Sequence, residues 1–155
     1  KYYNTPSRIV LKKTVKFTDV ASIKGKKIGV LKGSTQEKYA MGELKTAGVV
    51  VNSYEAQDQV YLDIKSGRLD GTVADYLEVS GGFLSKPEGA NYQLVGPDLR
   101  EPKYYGYGVG VAMRKGEDKL KGELNAAIKT IRSNGTYKTL NDKYFAKYNI
   151  DVYGE

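Results

Sequence analysis

The sequence predicts an α/β fold in which a parallel-type sheet is flanked by helices. Three observations carry this. Short strand-like runs alternate with helical ones from Lys27 to Asp75. The run Val49-Val50-Val51 is apolar without alternation, the pattern of a strand covered on both faces. The stretch Lys26–Glu37 reads as a buried strand that stops at Gly33 and turns directly into a helix.

That stretch is the chemical focus of the chain. Ser34 with Glu37 three residues on makes a capping box, so a helix starts at Thr35. The Thr35 and Gln36 amides then lack intrahelical acceptors, and a carboxylate set against them gains from those donors and from the helix dipole. Ser34 can equally cap its own helix and do nothing more.

The remaining elements follow in order. Lys1–Pro6 is a tyrosine-bearing lead-in and Ser7–Leu11 a short β-prone run. Thr18–Lys24 reads as a turn and short helix with Val20 and Ile23 inward, and Lys27–Leu31 as a strand. The helix from Thr35 to about Thr46 turns Tyr39 or Ala40, Leu44 and Ala47 inward and ends at Gly48. A second helix, Ala56–Lys65, places Val60, Tyr61 and Ile64 inward, with Gly67 as its stop. Leu69–Asp75 is a strand ending on a carboxylate, so Gly33–Gln36 and Asp75 both fall at strand carboxyl ends, where open α/β sheets bind ligands. Asp75 can also cap the short helix expected over Tyr76–Leu84. Ser85–Asn91 is a loop, Tyr92–Val95 a further strand, and Pro97–Pro102 an exposed connection. Lys103–Arg114 reads as an extended segment whose glycines at 106, 108 and 110 clear one face. The clearest helix is Glu117–Ser133, with Leu120, Leu124, Ala127, Ile128 and Ile131 at helical spacing. Another begins near Thr136 with Tyr137, Leu140, Tyr144 and Phe145 inward. These apolar positions read as core, yet the sheet segment before residue 103 already looks complete without them.

Composition narrows the chemistry. The chain has 155 residues, 40% hydrophobic and 28% charged, as expected of one globular domain or one and a fraction. It contains no Cys and no His, which excludes disulfides, zinc fingers, thiol nucleophiles and His-based triads. Nothing in the pattern calls for a metal or a cofactor, and no nucleotide fingerprint is present. No apolar run approaches the roughly 20 residues of a membrane span, so a soluble chain is expected. The net charge of +7 comes from lysines dispersed among acids, as at Lys115–Lys119, which suits a solvated basic surface and not a nucleic-acid partner.

Taken together, Gly29–Glu37, Gly67–Gly71 leading to Asp75, Arg114-Lys115, Asn134–Tyr137, Lys143–Phe145 and the ending Asp151–Gly154 resemble the type II periplasmic amino-acid-binding proteins, and most closely their lysine/arginine/ornithine- and histidine-binding subgroup. The resemblance covers essentially the whole chain. It implies two α/β lobes joined by two crossing strands, with residues 5–108 as the second, ligand-binding lobe. Residues 109–155 would be the return crossing and the C-terminal helices of an otherwise missing first lobe. It further implies that Ser34 and Thr35 meet the α-carboxylate of a free, cationic L-amino acid and that Asp75 accepts its α-ammonium. Gln36 would lie toward the ligand side chain and Leu31 would line the pocket. The implied setting is the periplasm, the implied partner an ABC permease, and no bond is made or broken. An enzyme on the same fold, such as a cyclohexadienyl-type dehydratase, and a non-transport sensor or structural fragment are the other readings. The apolar stripe of the tail, whose partner in the family is the missing first lobe, leads to a further expectation: it packs across a second copy as a swapped dimer or folds back on its own lobe, the first being favoured.

Overall fold

The computed structural model describes residues 1–152, and the chain divides into two units. One is Pro6–Gly106; the other combines Lys1–Thr5 with the residues from Tyr107 on. The Tyr153-Gly154 part of the family-like ending lies outside the described residues.

In the first unit, β1 (Ser7–Lys12), β2 (Lys27–Leu31), β3 (Val50–Tyr54), β4 (Gly71–Asp75) and β5 (Tyr92–Leu99) form one sheet in the order β3-β2-β4-β1-β5. The expected parallel sheet is in fact mixed. β2 runs parallel to β3 and β4, but β1 inserts antiparallel between β4 and β5. The helical crossovers from β2 to β3 and from β3 to β4 enforce parallel pairing only for those three strands. β3 lies at the sheet edge, so its valines are not covered on both faces: Val49 is buried, while Val50 is 44% exposed.

Alternation along the strands divides the core between the two sheet faces. Ile9, Leu11, Ile28, Val30 and Val73 pack with Tyr39, Ala40 and Leu44 of the helical stretch formed by α1 (Thr35–Tyr39) and the wider turn Ala40–Leu44. Val10 and Ala74 pack with Val60 and Ile64 of α2 (Gln57–Lys65) and with Val79 and Phe83 from α3 (Tyr76–Val79) and the turn Ser80–Leu84. Ile23 is buried as expected, in a single helical turn Ala21–Ile23.

The region expected to run extended from Lys103 instead begins with a helical turn, α4 (Pro102–Tyr105), and β5 continues through the expected exposed connection to Leu99. Pro102 starts this turn, and Tyr104 can reach the Glu43 carboxylate at 2.7 Å because Gly42 beneath it has no Cβ. Gly106 then ends the turn at φ 65°, a conformation that favours glycine.

The second unit holds α5 (Asp118–Ser133) and α6 (Thr136–Phe145), with Gly135 at φ 82° between them. Tyr3 and Val109 form an antiparallel bridge, and the Tyr137 hydroxyl donates to the Tyr2 carbonyl at 2.6 Å. Of the apolar positions read as core only Tyr137 is buried, while Leu124, Ile128, Ile131 and Phe145 are half-buried. No residue of α5 is buried, Leu120 is 42% exposed, and Leu140 and Tyr144 of α6 are 46% and 53% exposed. Two helices without a sheet cannot enclose both stripes; Tyr137, Asn141 and Val152 make up the small buried cluster. No helix among the described residues is long and apolar enough to cross a membrane.

Candidate functional site

β2 and β4 are neighbours and run parallel, so the segments at their carboxyl ends emerge on the same edge of the sheet. β2 delivers Leu31 and the turn to α1. Gly33 takes φ 74°, and Ser34 adopts extended backbone as the cap of α1. The Ser34 hydroxyl accepts the Glu37 amide at 3.0 Å and donates to the Leu31 carbonyl at 2.6 Å. The capping box therefore forms, but its return bond is shifted by one residue: the Glu37 carboxylate accepts the Gly33 amide at 2.7 Å and also the Ser53 hydroxyl of β3. Lys32 pairs with Glu55 at 2.6 Å.

This fixes which donors the turn can offer. The Ser34 proton is committed to Leu31, so the hydroxyl can contribute to an anion only by giving up that bond. The Thr35 and Gln36 amides are left without intrahelical acceptors by helix geometry. Thr35 is exposed, while Leu31, Ser34 and Gln36 are half-buried. The Thr35 hydroxyl donates to Gln36 Oε1 at 3.2 Å, and Gln36 Nε2 donates to Ser7 Oγ at 2.8 Å. Gln36 thus spans from the turn to β1.

β4 delivers Asp75, which is paired in register with Ser7 of β1. Its Oδ1 accepts the Leu77 amide at 2.9 Å and the Glu78 amide at 3.2 Å, so the capping role is real. Ser7 therefore relates the two strand ends: its buried hydroxyl accepts from Gln36, and its backbone is in register with Asp75. Ser7 itself escaped sequence reasoning, since a serine opening a β-prone run carries no signal of its own. The same holds for Glu78, whose carboxyl is pushed up by burial and by the Asp75 charge while it accepts the Tyr61 hydroxyl at 2.6 Å.

The Glu37 carboxyl is held below its ordinary value of 4.5, first by the Ser53 hydroxyl and then by the Gly33 amide. A depressed carboxylate stabilises the fold above its unfolded pKa and loses that contribution as pH falls through the lowered one. The Gly33 amide resonance is accordingly expected to titrate with a midpoint below 4.5. A midpoint at or above that value would mean that the carboxylate does not hold the turn.

What this arrangement offers is a set of amide and hydroxyl donors at one strand end and a carboxylate at the next. That polarity matches a zwitterion.

Known proteins agree with the family-level reading. The profile of the bacterial extracellular solute-binding proteins, family 3, matches residues 1–147. The chain is 50% identical to the L-arginine-binding protein of Pseudomonas aeruginosa over 155 residues, which is 99% of this chain and 59% of that protein. It is 39% identical to the histidine-binding periplasmic protein of Salmonella typhimurium, again over 99% of this chain and 58% of that protein. Among solved structures, an ancestral arginine-binding protein bound to arginine superposes with a TM-score of 0.74 at 30% identity, over 92% of this chain and 63% of that one. The chain thus spans about three fifths of the length of these relatives, which by name are binding proteins and not enzymes. This chain belongs to the bacterial extracellular solute-binding proteins, family 3.

Proposed function

We propose that the chain is part of the substrate-binding component of an ABC importer for amino acids, acting in the periplasm, with arginine, lysine, ornithine or histidine as ligand. Residues 5–108 act as one ligand-binding lobe, and residues 109–155 return to and complete the other. The observation that carries this reading is the placement of the Thr35 and Gln36 amides and the Asp75 carboxylate at the adjoining ends of β2 and β4. The α-carboxylate takes the amides, the α-ammonium takes Asp75, and Leu31 lines the wall beside them. The names of the relatives support a cationic side chain. A complete cleft closes two lobes around the ligand, and the closed form is what the permease recognises. For assembly, the exposed Leu120, Leu140 and Tyr144 on the partly covered stripes of α5 and α6 favour a second copy of the chain as their cover, which light scattering would register as a dimer.

One wall of a cleft binds weakly, because each charge-assisted hydrogen bond supplied from elsewhere is worth about 1.5–3 kcal/mol. Calorimetry with arginine, lysine, histidine and glutamine is expected to give dissociation constants well above micromolar for this chain, with the cationic amino acids ahead of glutamine. Sub-micromolar binding by a monomer, or no preference for cationic side chains, would contradict the reading.

A further inference from the structure

The lysines that the sequence scatters among acids are gathered by the fold of the first unit. β2 and β4 start at the sheet edge opposite Thr35, Gln36 and Asp75, and β1, running antiparallel, ends there. Lys27 opens β2 and Lys12 closes β1, one on each side of Asp70: the Lys12 amide donates to the Asp70 carbonyl at 3.1 Å, and Asp70 Oδ2 accepts the Lys27 amide at 2.8 Å. The stem of Lys24 lies over Gly48, where a Cβ would come within 3.0 Å of Lys24 Cγ. The Gly48 amide donates to the Lys45 carbonyl at 3.0 Å, and the Gly48 carbonyl accepts the Gly25 amide at 2.9 Å. These bonds join loops distant in sequence into one basic rim.

The charge of this rim is not neutralised. The acids beside it are already engaged: Asp70 by the Lys27 amide and by Lys26 at 3.9 Å, Asp63 by Arg68 at 2.6 Å, and Glu88 by Lys65 at 3.8 Å. Lys12, Lys24, Lys27 and Lys45 are exposed and have no ion pair among the described residues. The opposite edge is acidic, with Glu37, Glu55, Asp58, Asp75 and Glu78 at or just beyond the carboxyl ends of β2, β3 and β4. The lobe is therefore electrically polarised, acidic at the candidate site and basic at the far edge.

The free cations of the rim are lysines, point charges on flexible stems at separate backbone positions; Arg68, the one arginine nearby, is taken by Asp63. Such an array neutralises many anions at once and fixes the geometry of none. It suits a plane of phosphate headgroups, with mobile single charges spread over a wide area, better than a folded acidic partner whose carboxylates stand at fixed points.

We propose that this rim rests the lobe on an anionic phospholipid surface, with Lys12, Lys24, Lys27 and Lys45 against the headgroups and the edge bearing Thr35, Gln36 and Asp75 turned away from them. Attachment is electrostatic and reversible. It does not depend on which ligand the chain binds, or on whether it binds one.

The test sediments the full chain with vesicles of phosphatidylglycerol and phosphatidylcholine in equal parts, and with phosphatidylcholine alone. Binding is expected to the anionic vesicles only, strongest at about 0.01 M salt, where charges act over about 30 Å, and falling steeply toward about 0.15 M, where they act over about 8 Å. Lys12→Gln, Lys24→Gln and Lys45→Gln combined are expected to lower the affinity about 5-fold per lysine, about 100-fold in all. Lys115→Gln, Lys121→Gln and Lys129→Gln combined remove the same net charge from the second unit and are expected to change it less than about 3-fold. All six lysines are exposed, so both variants are expected to keep the parent's melting temperature. Poly-L-glutamate at equal anionic charge is expected to bind more weakly than the vesicles. No binding to anionic vesicles at low salt, or an equal loss in the two triple variants, overturns the proposal. Poly-L-glutamate that binds as tightly as the vesicles overturns it in favour of an acidic polypeptide.

Discussion

Replacing Asp75 by asparagine is expected to weaken every α-amino acid by about 30- to 100-fold in a chain extended to the length of its relatives, the equivalent of one charge-assisted hydrogen bond. The loss falls equally on all side chains because the α-ammonium is common to them. Stability is expected to stay within about 0.5 kcal/mol, since asparagine caps a helix as well as aspartate and the bonds to the Leu77 and Glu78 amides persist. This combination separates the two roles of Asp75. Calorimetry gives the affinities and thermal unfolding the stability; unchanged affinity in a folded variant would leave Asp75 as a cap alone.

The second large effect concerns the strand that carries Asp75. Gly71 opens β4, paired with Ile28 of β2 on one side and with Leu11 of β1 on the other. A Cβ at this position would lie 2.0 Å from the Val10 carbonyl oxygen and 2.9 Å from Leu11 Cδ2. The obstacle is backbone, and β1 cannot retreat because it is bonded to β5 on its far side. Gly71→Ala is therefore expected to cost about 3 kcal/mol, the upper end for overpacking, and to lower the melting temperature by more than about 10 °C. A melting temperature within 2 °C or so of the parent would show that β1 and β4 separate more easily than their pairing implies.

How much of this was legible in the sequence depends on whether a residue's role is set by its neighbours in the chain or by distant ones. Ser34 and Glu37 act within one helical turn, so the cap was readable; only the return bond, drawn to Gly33 instead of Ser34, was not. β2 and β4 were readable from their apolar runs, and with them the sheet edge at which their carboxyl ends emerge. The direction of β1 was not, because its partners β4 and β5 come some 60 and 80 residues later and nothing local specifies antiparallel pairing. The glycine spacing at 106, 108 and 110 suggested an extended segment, but Pro102 and the seating of Tyr104 over Gly42 decide its first residues. Ser7 matters only because folding sets it under Gln36 and opposite Asp75. No composition or periodicity encodes that.

The turn after β2 is expected to receive a carboxylate. Amide chemical-shift mapping of this chain with L-arginine and with agmatine, the same molecule without its carboxylate, tests it most directly. Arginine is expected to shift the Thr35 and Gln36 amides together with Asp75, and agmatine to leave Thr35 and Gln36 in place. Equal shifts at Thr35 and Gln36 with both compounds, or arginine shifts confined to other parts of the chain, would contradict the account.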